Sequence, residues 1–221
     1  MRFREIPGIF SALRLSNFVI QINANPRVEI GVEKTNPGKE GILEDETLLA
    51  GAKAGNQTAY RHLVEKYQGL VAGTTIGMLG RCPEAEDIGQ QAFLNFFNSL
   101  EKFRGEAALG TYLTRITINL CLNELKRRTR RARWMFWTEL DPPIASDGGD
   151  ALESSERQEQ VRRAVLKLAP EFRAVVVLRW MEERSTSETA EALGIPVGTV
   201  LSRLYRAQAQ FKELLASVQG D

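Results

Sequence analysis

Residues 185–211 run STSETAEALGIPVGTVLSRLYRAQAQF. Ser185 and Glu188 make an S-x-x-E capping box, which predicts that a short helix, SETAEAL, starts here. Gly194 ends that helix, because glycine enters the left-handed conformation cheaply. A longer helix follows, with Val200, Leu204, Ala207, Phe211 and Leu214 at steps of four, three, four and three. A helix, a turn of about four residues containing glycine and a longer helix together form the helix-turn-helix pattern. In that motif the second helix places its N-terminal residues in the major groove. Thr199, Ser202, Arg203 and Arg206 fall outside the apolar stripe. Arginine bonds guanine O6 and N7 bidentately, and serine or threonine bonds bases or phosphates. Gly198 and Thr199 keep the helix end small, so its free N–H groups can approach phosphate. On pattern alone, a helical hairpin with a solvated polar face remains the alternative.

The same period extends upstream. Val161, Ala164, Val165 and Leu168 make one stripe, and Pro170 suits the first turn of the next helix, PEFRAVVVLRWMEE. Before it, TELDPPIASDGGDALESSE breaks the pattern with prolines, glycines and acids, so a flexible linker is expected over 138–153. N-terminal to the linker, three more stripes appear. They are Ala59, Tyr60, Leu63, Val64, Tyr67, Leu70 and Val71; then Ile88, Ala92, Phe93, Phe96, Phe97 and Leu100; then Tyr112, Leu113, Ile116, Leu120 and Cys121. No useful strand alternation occurs. The expected fold is all-α, with two helical domains at 43–137 and 154–217 joined by the linker. Residues 1–42, with scattered Gly, Pro and Asn, read as a poorly ordered extension; a small amphipathic contact element is the minority reading.

Composition narrows the function. The net charge is +1, but the charges come in blocks. Residues 112–137 hold seven bases and one acid, and residues 138–160 hold seven acids and one base. Such blocks point to separate surfaces for separate partners. Cys82 and Cys121 lie far apart in the sequence and outside any CxxC pattern, which argues against a disulfide framework or zinc site and fits a reducing cytoplasm. His62 is the only histidine, with no Ser or Cys beside it. No Gly-rich phosphate loop, metal-ligand spacing or nucleophile–base pair is present, so no catalytic residue, metal or cofactor is expected. No apolar run reaches membrane-spanning length.

Residue identity then adds to the pattern. LKLAPEFRAVVVLRWMEERSTSETAEALGIPVGTVLSRLYRAQAQFKELL closely resembles region 4 of extracytoplasmic-function sigma factors, initiation factors of bacterial RNA polymerase. Thr189 stands where that family usually has isoleucine. LuxR-type regulators share a similar helix-turn-helix and are the alternative, acting without polymerase docking. EAEDIGQQAFLNFFNSLEKFRGEAALGTYLTRITINLCLNELKRRTRR looks like region 2 of the same sigma factors, over about 44–133. The resemblance implies core RNA polymerase and promoter DNA as partners, and an anti-sigma factor as a common third. It implies that region 4 binds the −35 element.

It also implies roles in the first domain. Glu86, Asp87, Gln90, Gln91 and Asn95, three and four apart, would dock on the polymerase clamp. The loop FRGEAALGTYL (Phe103–Leu113) would hold a base flipped from the −10 element, with Arg104, Tyr112 and Asn119 as contacts. Leu109 and Tyr112 depart from the aromatic and tryptophan usual there. KRRTRRAR places Lys126, Arg127, Arg128, Arg130 and Arg131 for phosphate, against the plainer reading of a solvated helix end. For WMFW (Trp134–Trp137), stacking on single-stranded bases, packing on the bundle and contact with an inhibitor protein are all open.

Overall fold

The computed structural model of the chain describes residues 39–105, 107–136 and 153–218. Its helices are α1 (Lys39–Lys53), α2 (Gln57–Leu79), α3 (Pro83–Ser99), α4 (Leu109–Phe136), α5 (Glu153–Lys167), α6 (Pro170–Val176), α7 (Thr186–Leu193) and α8 (Val197–Val218). A 3-10 turn, Leu100–Lys102, follows α3, and a π turn, Val177–Met181, extends α6. There is no strand among the described residues. α1 begins at Lys39, ahead of the expected boundary at 43. Residues 1–38, most of the expected extension, lie outside the described residues, as does the expected linker up to 152.

Local chemistry sets the helix ends. The Asn56 side chain accepts from the N–H groups of Thr58 and Ala59 and caps α2. Pro83 and Pro170 occupy first-turn positions, where their missing N–H has no helical partner to lose. The Ser185–Glu188 capping box is formed in both directions. Gly194 closes α7 at φ 63, in the left-handed region.

In the first domain Leu49, Leu63, Phe96, Leu100, Phe103, Leu109 and Leu113 are buried together. Tyr60 donates to the Phe93 carbonyl at 2.7 Å, which locks α2 to α3. In the second domain Val175, Ala190, Val200 and Leu204 hold the two helices of the helix-turn-helix together. Thr189 is fully buried and donates to the Ser185 carbonyl at 2.8 Å, so the polar residue at this apolar position is satisfied by its own helix.

A third cluster joins the two domains. Met78, Leu79, Ala85, Ile118 and Cys121 from the first pack with Ala164, Val165, Leu168, Val176, Val177, Leu178 and Phe211 from the second. Gly77 is the point of closest approach: a Cβ there would lie 2.9 Å from Val177 Cγ1. Arg173 joins the domains at the same place. Its guanidinium donates to Met78 O at 2.6 Å, at the end of α2, and to Leu166 O and Leu168 O at the end of α5. Carbonyls in a last helical turn lack helical partners and carry the negative end of the helix dipole, so a cation suits them. Burial pulls the Arg173 pKa down to about 10, which still leaves it charged at neutral pH.

Arg173→Met should destabilise the chain by about 3–5 kcal/mol, because buried carbonyls lose their donor at about 1–3 kcal/mol each. Arg173→Lys should fall between, since an ammonium cannot reproduce the fork. Urea denaturation measures this; an unchanged midpoint in Arg173→Met would show the guanidinium to be dispensable.

Candidate nucleic-acid interface

α8 presents two faces. Val200, Leu204, Ala207 and Phe211 are buried, and the Phe211 ring meets Trp180 edge-on at 5.8 Å. Of the residues singled out from sequence, Ser202 and Arg206 are exposed, and Thr199 and Arg203 are half-buried. The Ser202 hydroxyl donates to Thr199 O at 3.0 Å, which leaves its oxygen lone pairs for a ligand. Tyr205 is 71% exposed, beside Arg206. Leu201 and Val197 are exposed one and two turns before it. This outward apolar row was not singled out, because its four-residue spacing matches that of the buried row beside it.

On α3, Glu86, Asp87, Gln90 and Gln91 are exposed, and Asn95 is half-buried, accepting from Gln91 Nε2 at 2.8 Å. Phe97 corrects the apolar stripe read from sequence: it is 54% exposed rather than in the core. Its ring stands edge-on to Tyr60 at 5.0 Å, on the surface. Leu94, 57% exposed, lies one turn from Gln90 and Gln91. The surface is therefore mixed, acids and amides with two apolar side chains.

The loop before α4 is fixed from below. Lys53 Nζ donates to Phe103 O at 2.7 Å. Gly105 takes φ 73, and Arg104 beside it is exposed. Tyr112 is half-buried: its hydroxyl donates to Ser99 Oγ at 3.0 Å, and its ring packs 4.9 Å from Phe103. It forms the floor of the loop, while Arg104 and Asn119 face outward.

The basic tract divides. Glu124, buried on α4, accepts from Arg127 Nε at 2.7 Å and Arg128 Nε at 3.2 Å. The hydrogen bond from Arg127, followed by that from Arg128, holds the Glu124 carboxyl below its ordinary value. Arg128 also reaches Glu84 at 3.4 Å and Cys82 Sγ at 3.2 Å. Lys126, Arg130, Arg131 and Arg133 are exposed, and Trp134 beyond them is 75% exposed. The glutamate one turn upstream is the signal that separates the two kinds of arginine. Among the described residues, no helix is long and apolar enough to cross a membrane.

A helix-turn-helix carried by a second helical domain defines a two-domain, all-α DNA-binding protein of transcription. Residues 63–131 match the family described as Sigma-70 region 2, and residues 158–210 match Sigma-70, region 4. The ECF RNA polymerase sigma factor SigW of Bacillus subtilis is 30% identical over 172 residues, 74% of this chain and 92% of that protein. The RNA polymerase sigma-H factor of Pseudomonas aeruginosa is 31% identical over 182 residues, 78% of this chain and 94% of that protein. Among solved structures, CnrH in complex with the cytosolic domain of CnrY is similar at TM-score 0.57 and 25% identity, covering 79% of this chain and 98% of CnrH. The sigma factor RpoE of Bartonella quintana, solved with the anti-sigma factor NepR, shares the fold at TM-score 0.59 and 19% identity, covering 71% of this chain and 96% of that one. The chain belongs to the extracytoplasmic-function RNA polymerase sigma factors of the sigma-70 family.

The two faces of α8 should fail differently. Leu204→Ala removes a buried side chain and should cost about 2–5 kcal/mol. Arg206→Ala, on the exposed face, should stay within about 0.5 kcal/mol of wild type. Thermal melting of both variants checks the assignment; equal losses would contradict it.

Proposed function

We propose that the chain binds core RNA polymerase and directs it to promoters with a −35 and a −10 element. In this reading α8 enters the upstream major groove, with Arg206 and Arg203 bonding base edges or phosphate and Thr199 and Ser202 assisting. Arg104, Asn119 and the loop over Tyr112 hold a base of the −10 element once it leaves the stack. Binding to the unpaired strand shifts the duplex toward the melted state, so the chain itself needs no catalytic group. The polymerase supplies the metal and the chemistry. The chain acts in the cytoplasm, and the similar structure solved with an anti-sigma factor supports a protein inhibitor as a further partner.

The observation that carries this reading is the α3 surface. Glu86, Asp87, Gln90 and Gln91 are exposed together with Leu94 and Phe97, and amides, acids and apolar groups together suit a protein partner with a basic rim. A LuxR-type regulator acting without polymerase has no need of such a surface. Run-off transcription with core polymerase on a promoter library should therefore require this chain. Asp87→Arg with Gln90→Ala should abolish both polymerase association and run-off product at unchanged helical content. Normal co-purification of that double variant would remove α3 from the docking role.

The basic tract should act through phosphate. Each neutralised phosphate contributes about 0.9 to the log–log salt slope on duplex DNA. Arg130→Ala with Arg131→Ala should flatten the holoenzyme's slope by roughly 1.8 units without changing sequence preference. Arg127→Ala with Arg128→Ala should change it less, because Glu124 already holds both guanidinium groups. Equal effects of the two pairs would contradict that division.

A further inference from the structure

The N-terminal half of α8 carries an apolar row that the core does not use. Val197 is 47% exposed, Leu201 37% and Tyr205 71%. They stand four residues apart, so they share one strip of the helix surface. The core is complete without them. Val200 and Leu204 pack with Val175 and Ala190, and Ile195, just before the helix, turns inward onto the same cluster. Ala207 and Phe211 continue the buried side into the cluster between the domains. Three exposed apolar side chains in line make a patch, unlike the scattered single residues that need no explanation.

At about 100° of turn per residue, this strip forms one edge of the outward face of α8. Gly198 and Ser202 lie in the middle of that face, and Arg206, Thr199 and Arg203 lie toward its other edge. The space in front of Gly198 is open, since a Cβ there would meet nothing within 4 Å. No acid occurs from Val197 to Lys212, whereas Arg203, Arg206 and Lys212 are basic. The charge of this stretch complements a polyanion, and the row is continuous with the side chains assigned to the upstream groove. A partner protein seated on Leu201 would hold this part of α8 out of that groove. Duplex DNA offers one apolar group in its major groove, the C5 methyl of thymine. Valine and leucine carry no side-chain donor or acceptor, so methyl contact is all they can read there.

We propose that Leu201 and Tyr205, with Val197, are specificity-determining residues that read thymine methyl groups in the upstream promoter element, while the arginine edge of α8 bonds guanine or phosphate. The proposal rests on the sigma-factor reading and deepens it by naming the base and the group read. Recognition of the element then uses two chemistries on one helix. Phosphate contacts on the arginine edge contribute to the salt slope. The apolar edge carries no charge and leaves that slope unchanged. Burying one methyl group is worth about fourfold in affinity. Tyr205 suits this edge, because its ring is apolar while its hydroxyl stays in water.

The test starts from the upstream element that wild-type holoenzyme selects from a randomised pool. Each thymine of that element is replaced, one at a time, by deoxyuridine, which removes the methyl group and keeps every hydrogen bond. Holoenzyme affinity should fall about fourfold at one or more of these positions. Leu201→Ala and Tyr205→Ala should bind the parent promoter more weakly, with an unchanged salt slope. At least one of the two should no longer distinguish thymine from deoxyuridine at a sensitive position, whereas Arg206→Ala should distinguish them at every one. A selected element without thymine, no loss on any deoxyuridine replacement, or equal losses in wild type and both alanine variants overturns the proposal. So does a Leu201→Ala chain that fails to associate with core polymerase before DNA is added, because the row would then be a protein-docking surface. Thermal melting reports folding: if one alanine variant fails to fold the other decides, and failure of both overturns the proposal by placing the row in the core. If wild-type holoenzyme selects no promoter at all, the sigma-factor reading itself has failed, and the proposal with it.

Discussion

Arg173 ties the second domain to the first. One guanidinium supplies donors to the last carbonyls of α2 and to those closing α5. Those carbonyls would otherwise be buried without partners, which proteins rarely tolerate. The helix ends therefore meet where the arginine can reach both. The apolar cluster of Met78, Ile118, Val177 and Phe211 fills the space this meeting creates. Gly77 lets α2 approach Val177 more closely than a side chain there would allow.

The π turn follows from the same constraint. Val176, Val177 and Leu178 are all fully buried, more consecutive apolar residues than one face of a regular helix can hide. Widening the helix at Val177–Met181 turns them toward both domains, and the chain then leaves with Glu182 and Arg184 aimed at α2 and α4. Burial pushes the Glu182 carboxyl up from its usual range, while Arg184 and the Thr74 hydroxyl oppose the shift. A cationic partner on one side and a hydroxyl donor on the other make this burial tolerable. The packing of the hydrophobic seam thus places the polar one.

The surfaces offered to partners and the seam between the domains occupy different parts of the chain. The α3 face and the exposed face of α8 lie away from the seam, with Leu94, Phe97 and Tyr205 in solvent. On α4 the seam buries Thr111 and Thr114, while Arg115 and Asn119 stay exposed. Exposed apolar side chains of this size are stable on a soluble chain when scattered or when a partner covers them, and the amide-rich neighbours on α3 fit the second case.

Much of this was legible in the sequence because it depends on neighbours in the chain. The capping box at Ser185, the stop at Gly194, the start at Pro170 and the buried stripe of α8 each follow from residues within a turn or two. Two all-α domains with a helix-turn-helix in the second were visible for the same reason. Phe97 misled because a stripe at helical spacing does not say how far the core extends around the helix. Arg127 and Arg128 differ from Arg130 and Arg131 through Glu124, a local cue that a count of bases overlooks. The contact between domains had no local signature at all. Nothing in the neighbouring sequence marks Arg173, Gly77, Thr74, Thr114, Glu182 or Arg184 for it. Their roles depend on groups roughly 70 to more than 100 positions away, and only folding brings groups so distant in sequence within bonding distance.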